Sequence, residues 1–163
     1  MKTIILILTA IATSLMAGLF YAWSYSVTLG LARLSDIGYI SAMQALNRAI
    51  LNPLFFICFF GAAILLPFST YLYYTPAMQT QFWLLLAAVA CYIIGVMGVT
   101  IFGNVPLNES LDTFNVSSAS IQEISAKRIQ FEDPWNNLNN IRTLSSVLAM
   151  ILVIIACIVQ KEG

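Results

Sequence analysis

Histidine is absent from this chain. With it go the commonest transition-metal ligand, the usual axial ligand of haem and the usual general base near neutral pH. Cysteine is scarce, with only Cys58, Cys91 and Cys157, and no Cys-x-x-Cys pair occurs. Thiol–disulfide exchange is therefore not expected, and the three thiols read as buried structural residues. The 7 basic and 7 acidic side chains cancel. No basic run exists that would follow a phosphate backbone, so nucleic acid is not an expected partner. Neither a metal nor any other cofactor is expected.

The few charges are also unevenly placed. None occurs from Thr3 to Ala32, from Ala49 to Asn108, or from Thr143 to Gln160. Of the 163 residues, 60% are hydrophobic, more than a water-soluble domain can bury but suited to a bilayer. The middle run is long enough for two spans. The expected fold is all-α: a single domain over residues 1–163, an integral membrane four-helix up-down bundle with short amphipathic helices in the first and third connections. Both charged zones then meet one membrane face. Lys2 and the apolar run after it resemble a signal peptide, with Ala12-Thr13-Ser14 as a passable cleavage site. The run continues to Leu31, however, which favours an uncleaved first span.

Span one is expected from about Thr3 to Gly30. Its small residues Ala10, Ser14, Gly18, Ala22 and Ser26 recur every four positions. Ala87, Cys91, Gly95, Val99 and Gly103 form a similar row in span three, from about Gln81 to Phe102. Small rows let backbones approach, so spans one and three are expected to be the closest pair. Ser35-Asp36 opens an amphipathic helix ending near Leu51, with Tyr39, Met43, Leu46 and Ile50 on one side and Gln44, Arg48 and Asn52 on another. Asn52-Pro53 opens span two, which ends around Tyr71 to Tyr74, and Pro67 should kink it. Gly103-Asn104-Val105-Pro106 should end span three. Ser120-Ile121-Gln122-Glu123 matches a capping box for a further short helix. Asp133-Pro134 should open the last helix, which continues to Gln160. The two Asn-x-Ser sequons, at Asn108 and Asn115, are read as chance matches.

Three polar groups should converge on the charged face: Gln44, Asn47, Arg48 and Asn52; Asn104 and Asn108; and Trp135, Asn139 and Arg142, which share one helical face. Arginine and amides at the rim of an apolar bundle are costly unless paired. They could close the bundle end by capping and mutual hydrogen bonds, or form an oxyanion site. Asp36, Glu109 and Asp112 are the candidate counter-ions. Phe20, Tyr21, Trp23 and Tyr25 form either an interfacial belt or an aromatic wall around an apolar ligand.

Gly18-Leu19-Phe20-Tyr21-Ala22-Trp23-Ser24, Ala42 through Arg48, Asn104-Val105-Pro106-Leu107-Asn108, and Pro134-Trp135 followed by Asn139 and Arg142-Thr143 resemble one four-span membrane family, called anthrone oxygenase-like. The similarity extends over essentially the whole chain. Its fungal members oxidise anthrones to anthraquinones, while most bacterial relatives have no assigned substrate. The resemblance implies a multi-pass protein of a bacterial inner membrane acting on a small aromatic or quinol-like substrate. Such a reaction needs no metal or flavin, because an electron-rich enolate reacts with dioxygen directly. Arg48, Arg142, Asn104, Asn108 and Asn139 would then serve as catalytic donors, and Phe20, Tyr21, Trp23, Gln44, Asn47 and Trp135 would bind substrate. Asp36 or Glu109 would be the base.

Two other readings compete with this one. The first is an accessory protein that binds an anionic ligand, lipid or partner without turnover. The second is an exporter, which the lack of any acid within a span disfavours. Membrane lipid is an expected neighbour in every case, and a homo-oligomer is left open. The polar face carries Arg33, Arg48, Lys127, Arg128 and Arg142, against Lys2 and Lys161 on the other. That distribution favours a cytoplasmic polar face with both termini outside.

Overall fold

The computed structural model describes residues 1–159. The expected helix end at Gln160, and Lys161, which entered the orientation count, lie outside the described residues. Five helices account for most of the described chain: α1 (Lys2–Leu31), α2 (Asp36–Ile50), α3 (Pro53–Leu72), α4 (Pro76–Asp112) and α5 (Ile121–Ile158). All but α2 are long and apolar enough to cross a bilayer. The protein is therefore a multi-pass integral membrane four-helix bundle.

The spans pack round a square in which α1 touches α3 and α5, and α4 touches the same two. Spans one and three sit on a diagonal, which corrects the expected pairing. The reason lies in where the small rows point. Gly18 faces open space, whereas Gly95 abuts Ser145 so closely that a β-carbon there would overlap its side chain. A β-carbon at Gly103 would lie 2.9 Å from Leu138 Cδ1. The α4 row thus serves the fourth span. The buried side of α1 instead carries Leu6, Thr9, Thr13, Met16, Ala17 and Phe20. Cys58 and Cys91 are half-buried, and Cys157 is exposed on the outer surface of the bundle rather than buried.

Two helices are longer than their sequence punctuation suggests. α4 does not stop at Gly103; it passes Pro106 and reaches Asp112. Wide π turns over Cys91–Gly98 and Thr100–Asn104 precede the proline. Loosened turns there accommodate the ring and its missing N–H. α5 does not open at Asp133-Pro134 either. It opens at the Ser120 capping box, in which Ser120 Oγ accepts from the Glu123 amide and Glu123 accepts from the Ser120 amide. It then runs for 38 residues with Pro134 inside. The capping box wins because it satisfies two terminal amides at once. The third connection is helical as expected, but its helices are continuous with the spans.

A helix of 38 residues is about 57 Å long, against about 30 Å of hydrocarbon. α4 and α5 therefore overshoot the bilayer on one side, where α2 also lies. Ser35 caps α2 by accepting from the Gly38 amide, and Asn52 caps α3 with Pro53 in its first turn. The overshoots and α2 share a second apolar core of Leu31, Tyr39, Ile40, Met43, Leu111, Ile124, Phe131 and Trp135. It forms a cap over the mouth of the bundle. Arg128 ties the cap together. It bonds Asp36 and Glu132, donates to the carbonyls of Ala32 and Leu34, and lies over the Tyr39 ring.

Candidate functional site at the mouth of the bundle

Arg142 sits on the inner face of α5, 7% exposed. Its guanidinium lies between two aromatic faces, 4.7 Å from the Phe20 centroid and 5.3 Å from that of Trp135. Such sandwiching suits a planar, weakly hydrated cation. One terminal nitrogen donates to Asn139 Oδ1 at 2.8 Å, and Nε has no hydrogen-bond partner. No carboxylate pairs with it among the described residues. A buried guanidinium without a counter-ion is expensive.

What Arg142 faces is a cavity of about 190 Å³. Phe20 and Trp23 of α1, Asn47 at the end of α2, and Phe55, Phe56, Phe59 and Phe60 of α3 wall it, with Thr100, Ile101, Val105 and Asn108 of α4 opposite and Trp135 and Arg142 of α5 at its base. The aromatic rings pack against one another: Phe55 on Phe59 at 5.3 Å and Trp23 on Trp135 at 5.1 Å. Asn47 is 9% exposed and its Nδ2 is unpartnered. The cavity thus offers apolar walls and two buried N–H donor groups without acceptors.

A second layer fixes the first. Asn139 Nδ2 donates to Ser24 Oγ at 2.9 Å, which turns Oδ1 toward Arg142. Thr143 Oγ1 lies within hydrogen-bond distance of Ser24 Oγ and of the Phe20 carbonyl. Ser24 lies in a π turn, Trp23–Val27, of α1, and such bulges re-aim side chains at functional sites. The Trp135 indole N–H donates to Asn108 Oδ1 at 2.8 Å. Asn104 is fully buried, reaches the Trp135 carbonyl at 3.4 Å, and leaves its own Oδ1 unpartnered.

The expected residues therefore divide. Phe20, Trp23, Asn47, Asn108, Trp135 and Arg142 line one cavity, and Asn104 and Asn139 support it from behind. Tyr21 points outward, its ring tilted against that of Tyr25 at 4.6 Å. Gln44 ties α2 to the end of α4 by donating to the Leu111 and Phe114 carbonyls. Arg48 is exposed and paired with Asp112 at 2.6 Å. It edges a separate hollow of about 260 Å³ on the aqueous side, shared with Glu109 and Asp112. The two hollows have Asn47, Leu51, Val105 and Asn108 in common. Of the candidate counter-ions, Asp36 serves Arg128 and Asp112 serves Arg48. Glu109 is in no ion pair among the described residues. The α3 phenylalanines were not singled out in advance. Their spacing at i, i+1, i+4 and i+5 does mark one helix face, but in an apolar span a ring facing lipid reads like a ring facing a cavity.

Outside the membrane, burial pushes the Tyr39 phenol above its ordinary value, with Glu132 adding to the shift. The Glu132 hydrogen bond holds Arg128 above its own. Both groups therefore keep their usual charge at neutral pH.

A family model described as anthrone oxygenase matches residues 55–152. No curated protein and no solved structure matches the chain.

Proposed function

The chain belongs to the anthrone oxygenase family, and from that premise we propose that it is a membrane oxygenase needing no cofactor, in which Arg142 stabilises the oxyanion of a small aromatic or quinol-like substrate. The observation that carries this reading is the buried, uncompensated guanidinium at the base of an aromatic cavity. An enolate or phenolate supplies the missing counter-charge, and it does so only once the substrate has ionised. That is the differential stabilisation catalysis requires. Asn47 Nδ2 is a second donor to the same oxygen, while Asn139 and Asn108 hold Arg142 and Trp135 in place.

For an anthrone-type substrate the chemistry balances as follows. A base removes one proton from the methylene para to the carbonyl, leaving an enolate. The enolate carbon bonds to dioxygen, and the proton returns to give a hydroperoxide. Loss of water from that carbon leaves a second carbonyl. One oxygen atom ends in the product and the other in water. The cavity holds no carboxylate. Glu109, in the adjoining aqueous hollow and free of ion pairs among the described residues, is the base we assign.

Oxygen consumption by the purified protein in lipid nanodiscs, with a panel of anthrones, phenols and quinols, tests the reading. Turnover should depend on Arg142 and fall at least 100-fold in Arg142→Met. Equal turnover in the variant overturns the assignment. One observation favours a second reading, an accessory protein that binds an anionic ligand: the cavity itself contains no base. Tight binding that depends on Arg142, with no oxygen uptake on any substrate, would select it.

A further inference from the structure

The cavity opens on two sides that differ in chemistry. Toward water lies the hollow edged by the Arg48–Asp112 pair, which shares Asn47, Leu51, Val105 and Asn108 with the cavity. Toward lipid lies the seam between α3 and α4. These two spans pack closely over Gln79–Ala90 and separate beyond it. The Tyr92 hydroxyl, donating to the Phe59 carbonyl at 3.0 Å, marks the last firm tie. Phe60 beside that tie, and Phe56, Ile101 and Val105 on its mouth side, line the cavity while also lying exposed on the outer surface. A side chain that faces both cavity and exterior marks an opening, and every one at this seam is apolar.

Size narrows the occupant. A dry cavity of about 150 Å³ accepts benzene, and drug-sized ligands occupy about 300 Å³ or more. At about 190 Å³ this cavity suits one ring or two fused rings and is small for a flat tricycle. Its two donors without acceptors, Arg142 Nε and Asn47 Nδ2, would be satisfied by an oxygen on that ring system. A phenol meets both demands. When neutral it dissolves in the bilayer, and when ionised it satisfies the guanidinium.

We infer that the cavity is loaded sideways from the bilayer, through the seam between α3 and α4, by a neutral phenol of one or two rings that ionises against Arg142. This rests on the proposed oxyanion site and adds its route and its size limit. The aqueous hollow beside Arg48 would then carry protons and water rather than substrate.

The test is binding of tritiated 1-naphthol and tritiated anthrone to the full chain in phosphatidylcholine nanodiscs. The wild type should bind 1-naphthol saturably and anthrone at least tenfold more weakly. Ile101→Trp, which narrows the seam, should slow naphthol association at least tenfold. Ile101→Ala, which widens it, should speed association, so a misfolded tryptophan variant does not decide the matter. Asp112→Asn, which releases Arg48 on the aqueous side, should change the rate less than twofold. Anthrone binding as tightly as naphthol overturns the size limit. Association indifferent to both Ile101 variants, or accelerated by Asp112→Asn, overturns the route. Arg142→Met separates the two levels. If naphthol binding survives it undiminished, the oxyanion site itself is wrong. If binding needs Arg142 but ignores Ile101, only the route is wrong. No saturable binding of either probe refutes both.

Discussion

The two ends of the bundle treat buried polar groups in opposite ways. At the end away from the cap, Thr9 Oγ1 and Ser69 Oγ lie 2.7 Å apart between α1 and α3. Thr13 and Thr70 donate to carbonyls of their own helices. These hydroxyls are satisfied and bind helix to helix. At the mouth, Asn47 Nδ2, Asn104 Oδ1, Asn136 Oδ1 and Arg142 Nε are buried without partners. Natural proteins leave few such atoms unsatisfied, which is why this cluster supports the proposed site. At one end the buried hydroxyls named here are paired, while at the mouth four buried polar atoms are not, and the proposed substrate would meet two of them, Asn47 Nδ2 and Arg142 Nε.

This contrast makes different demands on substitutions. The largest structural effect is expected at Gly95, where α4 approaches Ser145 of α5. Gly95→Leu forces the two spans apart and should cost about 3 kcal/mol or more of stability, seen as loss of the monodisperse folded protein in detergent. Arg142→Met should do the reverse, abolishing turnover without lowering the unfolding temperature. Replacing an uncompensated buried charge by an apolar side chain of similar length is neutral or stabilising. A collapse of the fold in Arg142→Met would remove the contrast, because the arginine would then be a structural member.

Smaller effects follow at the satisfied positions. Thr9→Val removes the bonds from α1 to Ser69 and to the Leu65 carbonyl of α3 and should cost about 0.5–1 kcal/mol, with oxygen uptake unchanged. Thermal unfolding together with an activity assay separates the two. Arg48→Ala breaks an exposed ion pair, which is worth about 0–1 kcal/mol and is screened by salt. Its effect on unfolding temperature should be at the limit of detection in high salt. The smallest effect concerns the start of α5. The Ser120 amide and hydroxyl hold the Glu123 carboxyl below its ordinary value. Its contribution is therefore present above the unfolded carboxylate pKa and is lost as pH falls through the lower folded value. Amide exchange at the first turn of α5 should rise on acidification, and Glu123→Gln should flatten that rise.

Much of this was legible in the sequence. The uncharged runs gave four spans and placed the charge at one face. Ser35, Asn52 and the Ser120 box were readable because a cap is a local bond between residues three apart. Helix ends at proline were misread for a physical reason: Pro106 and Pro134 lack an N–H, yet π turns ahead of Pro106 absorb the loss there, and α5 runs through Pro134 unbroken. The small rows were visible, but which neighbour each row faces depends on the rotation of its helix, and a row alone does not set that. At the site, Arg142, Asn139 and Trp135 were legible because they share a face of one helix. Arg48 and Arg142 look alike in the chain. Only the fold shows one in water beside Asp112 and the other enclosed between Phe20 and Trp135. Arg128, counted as a surface cation, is the clasp of the cap; its bond to Glu132 is a readable i,i+4 pair, but Ala32, Leu34 and Asp36 are too far away in sequence to suggest the clasp.

The most direct measurement is the ionisation of a phenol bound in the cavity, followed by the absorbance of 1-naphthol across a pH series in nanodiscs containing wild type or Arg142→Met. The expected result is a pKa for the bound phenol below its value in water with wild type, and above it with the variant. A bound pKa raised equally in both proteins would mean that the cavity acts only as an apolar hole, and that Arg142 does not stabilise an oxyanion.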